Sequence, residues 1–230
     1  MTHLKITIFL LALLSISCGV SKTQNITEEM PYKYLALGDS YTIGESVCDD
    51  CNYPKQLTAS LNGSLKEKTS VKIIAKTGWT TTDLLAEIAS EKPTNDYDLV
   101  TLLIGVNNQY QGKPFSIYEE EFPKLLDMAI AFAEGKKENV IVLSIPDYAF
   151  TPFGQKSGNA EKITSELKKY NAFAEKIARE KNVRFTNITP ITQQGLENPA
   201  LVASDGLHPS EVAYKKFVEM LFNNALKILR

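Results

Sequence analysis

Five short runs rich in β-branched and aliphatic residues recur along the chain: Tyr34 to Leu37, Val71 to Ala75, Leu99 to Ile104, Val140 to Ile145 and Val183 to Ile188. No other feature limits the possible folds as much. Each run is short and almost continuously apolar, as expected of strands covered on both faces of a parallel sheet. The segments between them carry a helical period. Ile163, Leu167, Tyr170, Ala174 and Ile177 are spaced by three or four residues, as one helix face requires. Tyr118, Phe122, Leu125, Ala129 and Phe132 repeat that spacing, with Pro123 expected to kink the segment or mark its start. A last helix reads Ala213, Phe217, Leu221, Ala225 and Ile228, opened by Pro209-Ser210. Strands alternating with helices predict a three-layer α/β/α sandwich around a five-stranded parallel sheet.

Open sheets of this kind bind ligands beyond the carboxyl ends of their strands. Three turn-forming, polar segments fall there. Gly38-Asp39-Ser40 follows the first run, Thr77-Gly78-Trp79 the second and Gly105-Val106-Asn107-Asn108 the third.

The amino terminus has a different character. Residues 1–17 carry His3 and Lys5, an apolar stretch from Ile6 to Leu14, and Ser15-Ile16-Ser17 before Cys18, the pattern of an export signal. The stretch is short of the roughly 20 residues that span a bilayer. Cys18 after small residues resembles the lipidated cysteine of bacterial lipoproteins, although Ser15 stands where a leucine is usual. The alternative is a plain secretory signal. Residues 18–31 are polar and are expected to be a tether, leaving 32–230 as one folded domain. The expected location is the bacterial cell envelope as an anchored lipoprotein, or otherwise the periplasm or the medium. Membrane association is expected only through Cys18.

With 25 Lys+Arg against 27 Asp+Glu, no basic surplus suggests nucleic acid as a partner. Cys48 and Cys51 form a C-x-x-C pair without a second pair to complete a zinc site. In an exported chain this is expected to be a small disulfide, and Asp49-Asp50 between the cysteines opposes a stabilised thiolate. The chain has two histidines, His3 and His208. If the leader is removed, His208 is the sole histidine of the mature chain, and a multi-histidine metal site is excluded.

A serine hydroxyl attacks poorly unless a base takes its proton, and a carboxylate improves that base by fixing its tautomer. His208 lies in Ser204-Asp205-Gly206-Leu207-His208-Pro209, where Asp205 is placed to fold back onto Nδ1 and leave Nε2 for a nucleophile. The strand ends offer Ser40 as that nucleophile. They also offer three oxyanion donors: the backbone N–H groups of Ser40 and Gly78, and the side-chain amide of Asn107.

These four blocks, Gly38-Asp39-Ser40-Tyr41, the segment at Gly78, Gly105-Val106-Asn107-Asn108 and Asp205-Gly206-Leu207-His208-Pro209, resemble those of the SGNH (GDSL-type) hydrolases, a family of serine esterases and lipases with a flavodoxin-like sheet. The resemblance implies Ser40 as nucleophile, His208 as base and then acid, Asp205 as its orienter, and Ser40, Gly78 and Asn107 as the oxyanion hole. It implies no metal and no organic cofactor. Tyr41 departs from the usual leucine, and Asn108 from the aspartate that commonly follows the oxyanion asparagine. The α/β-hydrolase elbow G-x-S-x-G does not apply, because Thr42 stands where it needs glycine.

The expected reaction is hydrolysis of carboxylic esters through an acyl-enzyme, with O-acetyl groups on carbohydrate as the leading substrates. A lysophospholipase or thioesterase of the same fold, and a surface binding lipoprotein without catalysis, are the alternatives. Trp79, Tyr110, Tyr148, Phe150 and Phe153 are candidates to line the cleft, and Pro146 to Gly154 is expected to be a long selector loop.

Overall fold

The computed structural model describes residues 32–230. The leader, Cys18 and the tether lie outside the described residues. In chain order the elements are β1 (Tyr32–Gly38), α1 (Ser40–Ile43), α2 (Tyr53–Asn62), β2 (Thr69–Ala75), α3 (Thr81–Glu91), β3 (Leu99–Leu103), α4 (Val106–Tyr110), α5 (Phe115–Phe132), β4 (Val140–Leu143), α6 (Pro152–Lys156), α7 (Ala160–Glu180), β5 (Arg184–Thr186), α8 (Thr189–Thr192) and α9 (Glu211–Ile228).

All strand pairs are parallel, in the order β2-β1-β3-β4-β5. Each predicted run holds a strand. β3 and β4 are buried along their whole length, because helices cover both faces. α2 and α9 pack together on one face, while α3, α5 and α7 cover the other. Reversing direction after β2 puts β1 and β3 side by side, with β1 leading left and β3 leading right. That is the switch point where such sheets open a crevice.

Local chemistry explains where the helices begin. α3 opens on a capping box: the Thr80 hydroxyl receives the Asp83 N–H and the Asp83 carboxylate receives the Thr80 N–H, satisfying two otherwise orphaned donors. α9 is capped by Ser210, so the initiating residue is the serine of the Pro209-Ser210 pair. α7 buries Ile163, Leu167, Tyr170, Ala174 and Ala178, the periodic face shifted by one residue at its end.

Two expectations need correction. α5 starts at Phe115 and runs unbroken through Pro123, so the proline does not mark its start. A proline only removes one intrahelical bond, here to the Glu119 carbonyl, and packing on β3 and α7 holds the helix across the gap. The Pro146 to Gly154 segment is not a featureless loop. It contains a 3₁₀ turn, Tyr148–Phe150, and the start of α6, capped by Asp147 and Thr151.

Candidate active site

The register of the sheet gathers the first three blocks. Gly38 at the end of β1 pairs with Ala75 of β2 and with Leu103 of β3. Ser40, Gly78 and Asn107 therefore leave three adjacent strands within a few residues of one line. Asp39 is the N-cap of α1, its Oδ1 accepting the Tyr41 N–H at 3.0 Å, which fixes Ser40 at the first helical position. Gly105 opens α4 by a different turn, at φ +125°, where a Cβ would lie 2.5 Å from the Tyr118 ring. Only glycine fits there.

The crevice between these turns is tied together by side chains. The Asn107 amide donates to the Trp79 carbonyl at 3.0 Å, and the Gln111 amide donates to the Gly78 carbonyl at 2.9 Å. Asn108, fully buried, accepts the Thr81 N–H at 3.0 Å and donates to the Thr81 hydroxyl at 2.7 Å. That hydroxyl is then free to donate to Glu121. An aspartate at 108 could only accept, setting two carboxylates in competition for one hydroxyl proton, which gives the departure at this position a physical reason. Among the described residues the backbone N–H groups of Ser40 and Gly78 donate to no acceptor, and Asn107 keeps one amide hydrogen unused.

The fourth block folds onto the first. Asp205 Oδ2 lies 2.6 Å from His208 Nδ1. Its Oδ1 accepts the Leu207 and His208 N–H groups at 2.9 and 3.0 Å, and Oδ2 also accepts the Ser46 hydroxyl at 2.8 Å. Burial alone would push this carboxyl up. The bond to His208, the two backbone donors and Ser46 outweigh it and hold Asp205 down at about 2, so it is ionised at neutral pH. With Nδ1 engaged by a carboxylate, the imidazole presents Nε2. His208 is buried to 8% exposure, and the Tyr41 ring meets it edge-on at 5.7 Å. Among the described residues no hydrogen bond joins the Ser40 hydroxyl to His208; such bonds commonly tighten only around substrate.

Tyr41, His208 and Leu207, with Asp147, Tyr148 and Val202 among others, line a small recess of about 10 Å³, room for roughly one water. Tyr110, Tyr148 and Phe153 form one aromatic cluster beside it. Trp79 and Phe150 instead are half-buried against the core. Cys48 and Cys51 are joined as a disulfide in the segment between α1 and α2, away from a strand-to-helix junction. Among the described residues no three His, Cys, Asp or Glu side chains converge to hold a metal ion, and no helix is long and apolar enough to cross a membrane.

With this geometry in place, the profile of the GDSL-like lipase/acylhydrolase family matches residues 36–216. The chain belongs to that family. As a GDSL-type hydrolase it shares its fold with solved relatives of low sequence identity. A lipase/acylhydrolase from Enterococcus faecalis superposes with a TM-score of 0.65 at 18% identity, covering 85% of this chain and 96% of that one. An acetyl xylan esterase from Geobacillus stearothermophilus, in a variant form, gives 0.63 at 20% identity over 85% and 94%. A psychrotrophic esterase from Pseudoalteromonas gives 0.59 at 17% over 86% and 98%. No curated protein is similar enough in sequence to be matched.

This GDSL-type hydrolase also uses residues that its motifs do not announce. Ser46 reaches Asp205 across 159 positions, and Gln111 reaches Gly78 across 33. Neither has a local sequence signal.

Proposed function

We propose that this hydrolase is a serine esterase that cleaves carboxylic esters through an acyl-enzyme, acting on short acyl groups such as O-acetyl on carbohydrate. The observation that carries the chemistry is the 2.6 Å contact between Asp205 and His208, opposite a serine held at a strand end. In this reading the Ser40 Oγ attacks the ester carbonyl while His208 Nε2 takes its proton. Negative charge gathers on the carbonyl oxygen, which accepts from the Ser40 and Gly78 N–H groups and the Asn107 amide. The free state of those donors in the structure supports that role. The ester C–O bond then breaks, and the leaving alcohol takes the proton from His208. Water repeats the sequence against the acyl-serine, and Ser40 recovers its proton. Asp205 stays ionised throughout and supports the imidazolium.

The short acyl preference is supported by the fold shared with an acetyl xylan esterase. The same proposal includes export and lipidation, which rest on the sequence alone: removal of residues 1–17, a lipid on Cys18, a tether over 18–31 and a hydrolase domain over 32–230.

The test is a series of 4-nitrophenyl esters with acyl chains of two to twelve carbons. The wild type is expected to be fastest on acetate, and Ser40→Ala to lose at least about 10⁴-fold in kcat. Wild-type rates in Ser40→Ala would remove Ser40 from the mechanism. A rate that rises towards twelve carbons would replace the short-chain reading with a lysophospholipase or thioesterase.

A further inference from the structure

Five large apolar side chains remain exposed among the described residues: Tyr110, Phe153, Leu196, Val212 and Met220. The two aromatic ones touch each other. Their ring centroids are 6.1 Å apart at 48°, and Tyr110 also meets Tyr148 edge-on at 6.0 Å. Tyr110 is 56% and Phe153 36% exposed, while Tyr148 beneath them is buried. Scattered exposed apolar residues need no explanation, but a contiguous aromatic patch beside a site does.

The patch is held firmly. The Tyr148 hydroxyl donates to the Gln109 side-chain carbonyl at 2.9 Å, and the Gln109 amide donates to Glu166 at 2.7 Å. Tyr110 stands three residues after Asn107, one turn along α4. The Phe153 N–H donates to the Gly206 carbonyl at 3.0 Å, within the turn that holds Asp205 and His208. The two rings thus bridge the helix that carries Asn107 and the loop that carries His208.

We propose that Tyr110 and Phe153 form a stacking subsite for the sugar ring that bears the ester. This deepens the carbohydrate-esterase reading and rests on it for the reaction, though not for binding. A pyranose presents an apolar, slightly positive C–H face to the negative face of an aromatic ring, while its hydroxyls stay in water. Two half-open rings beside a hydrated surface suit that occupant. A long acyl chain would gain most from an enclosed apolar trench, whereas the Tyr110 and Phe153 rings are open to solvent.

The experiment compares wild type with Tyr110→Ala, Phe153→Ala and Tyr110→Phe on acetylated xylotetraose and on vinyl acetate, which has no ring to stack. The ratio of kcat/KM on the saccharide to that on vinyl acetate is expected to fall about tenfold in each alanine variant, mainly through KM, and to stay within about twofold in Tyr110→Phe, as expected for loss or retention of one stacked ring. Binding of unacetylated xylohexaose, followed by NMR titration of Ser40→Ala, is expected to weaken when Tyr110→Ala is added. An unchanged ratio overturns the proposal, as does an absence of xylohexaose binding in a protein that cleaves vinyl acetate. With 4-nitrophenyl dodecanoate run beside these substrates, a loss in the alanine variants confined to that ester overturns it too, by making the patch an acyl floor. Binding of xylohexaose through Tyr110 in a protein that cleaves no ester would leave the subsite standing and remove the esterase reading instead.

Discussion

Asp39 shows how much a single carboxylate beside Ser40 asks of its surroundings. One oxygen caps α1 through the Tyr41 N–H; the other is buried with no hydrogen-bond partner among the described residues. Burial pushes this carboxyl up to about 7, against roughly 3.9 for an unperturbed aspartate. The native state therefore keeps its proton over a range where the unfolded chain has released it, and stability falls as pH rises through that window. Asp39→Asn retains the cap and has no proton to lose. Relative to wild type it is expected to gain stability between pH 4.5 and pH 8, by up to a few kcal/mol, measured by urea unfolding at both values. Identical pH slopes in the two proteins would show that Asp39 is solvated. The strand-end placement of Ser40, Gly78 and Asn107 and the pairing of Asp205 with His208 are legible because they are local in sequence or fixed by strand order. The state of Asp39 is not, since the burial that shifts it is a property of the folded surroundings and leaves no mark in the neighbouring sequence.

At the scale of elements, α5 carries the clearest local conflict. Pro123 leaves the Glu119 carbonyl without its helical donor, and interior prolines cost about 3 kcal/mol relative to alanine. Pro123→Ala is expected to raise stability by roughly 1–3 kcal/mol, read as a higher midpoint in thermal or urea unfolding. A lower midpoint would mean that the proline ring itself is needed in the packing. Periodicity located this helix through Tyr118, Phe122, Leu125, Ala129 and Phe132, all buried. It could not place the helix start ahead of Pro123, because a rule for isolated helices carries no information about the strand and helices pressed against one face. The same reasoning applies to the Pro146 to Gly154 segment, whose caps by Asp147 and Thr151 become visible only once the chain has turned.

For the whole molecule, alternation of strands and helices predicted the layers and the five parallel strands. The strand order was not contained in that pattern, because the reversal after β2 depends on which edge of β1 each later strand pairs with. Lipidation belongs to this scale as well: mass spectrometry of the native protein is expected to find an acylated amino-terminal cysteine at position 18, and an unmodified terminus elsewhere would leave a freely secreted enzyme. The first strand decides how such an anchor would present the enzyme. β1 enters at Tyr32 on one rim of the sheet and delivers Ser40 at the other, a strand length of about 20 Å away. An enzyme leashed by the segment before Tyr32 would carry its mouth on the rim opposite the leash, so that a polymer could reach Ser40 without passing the mooring.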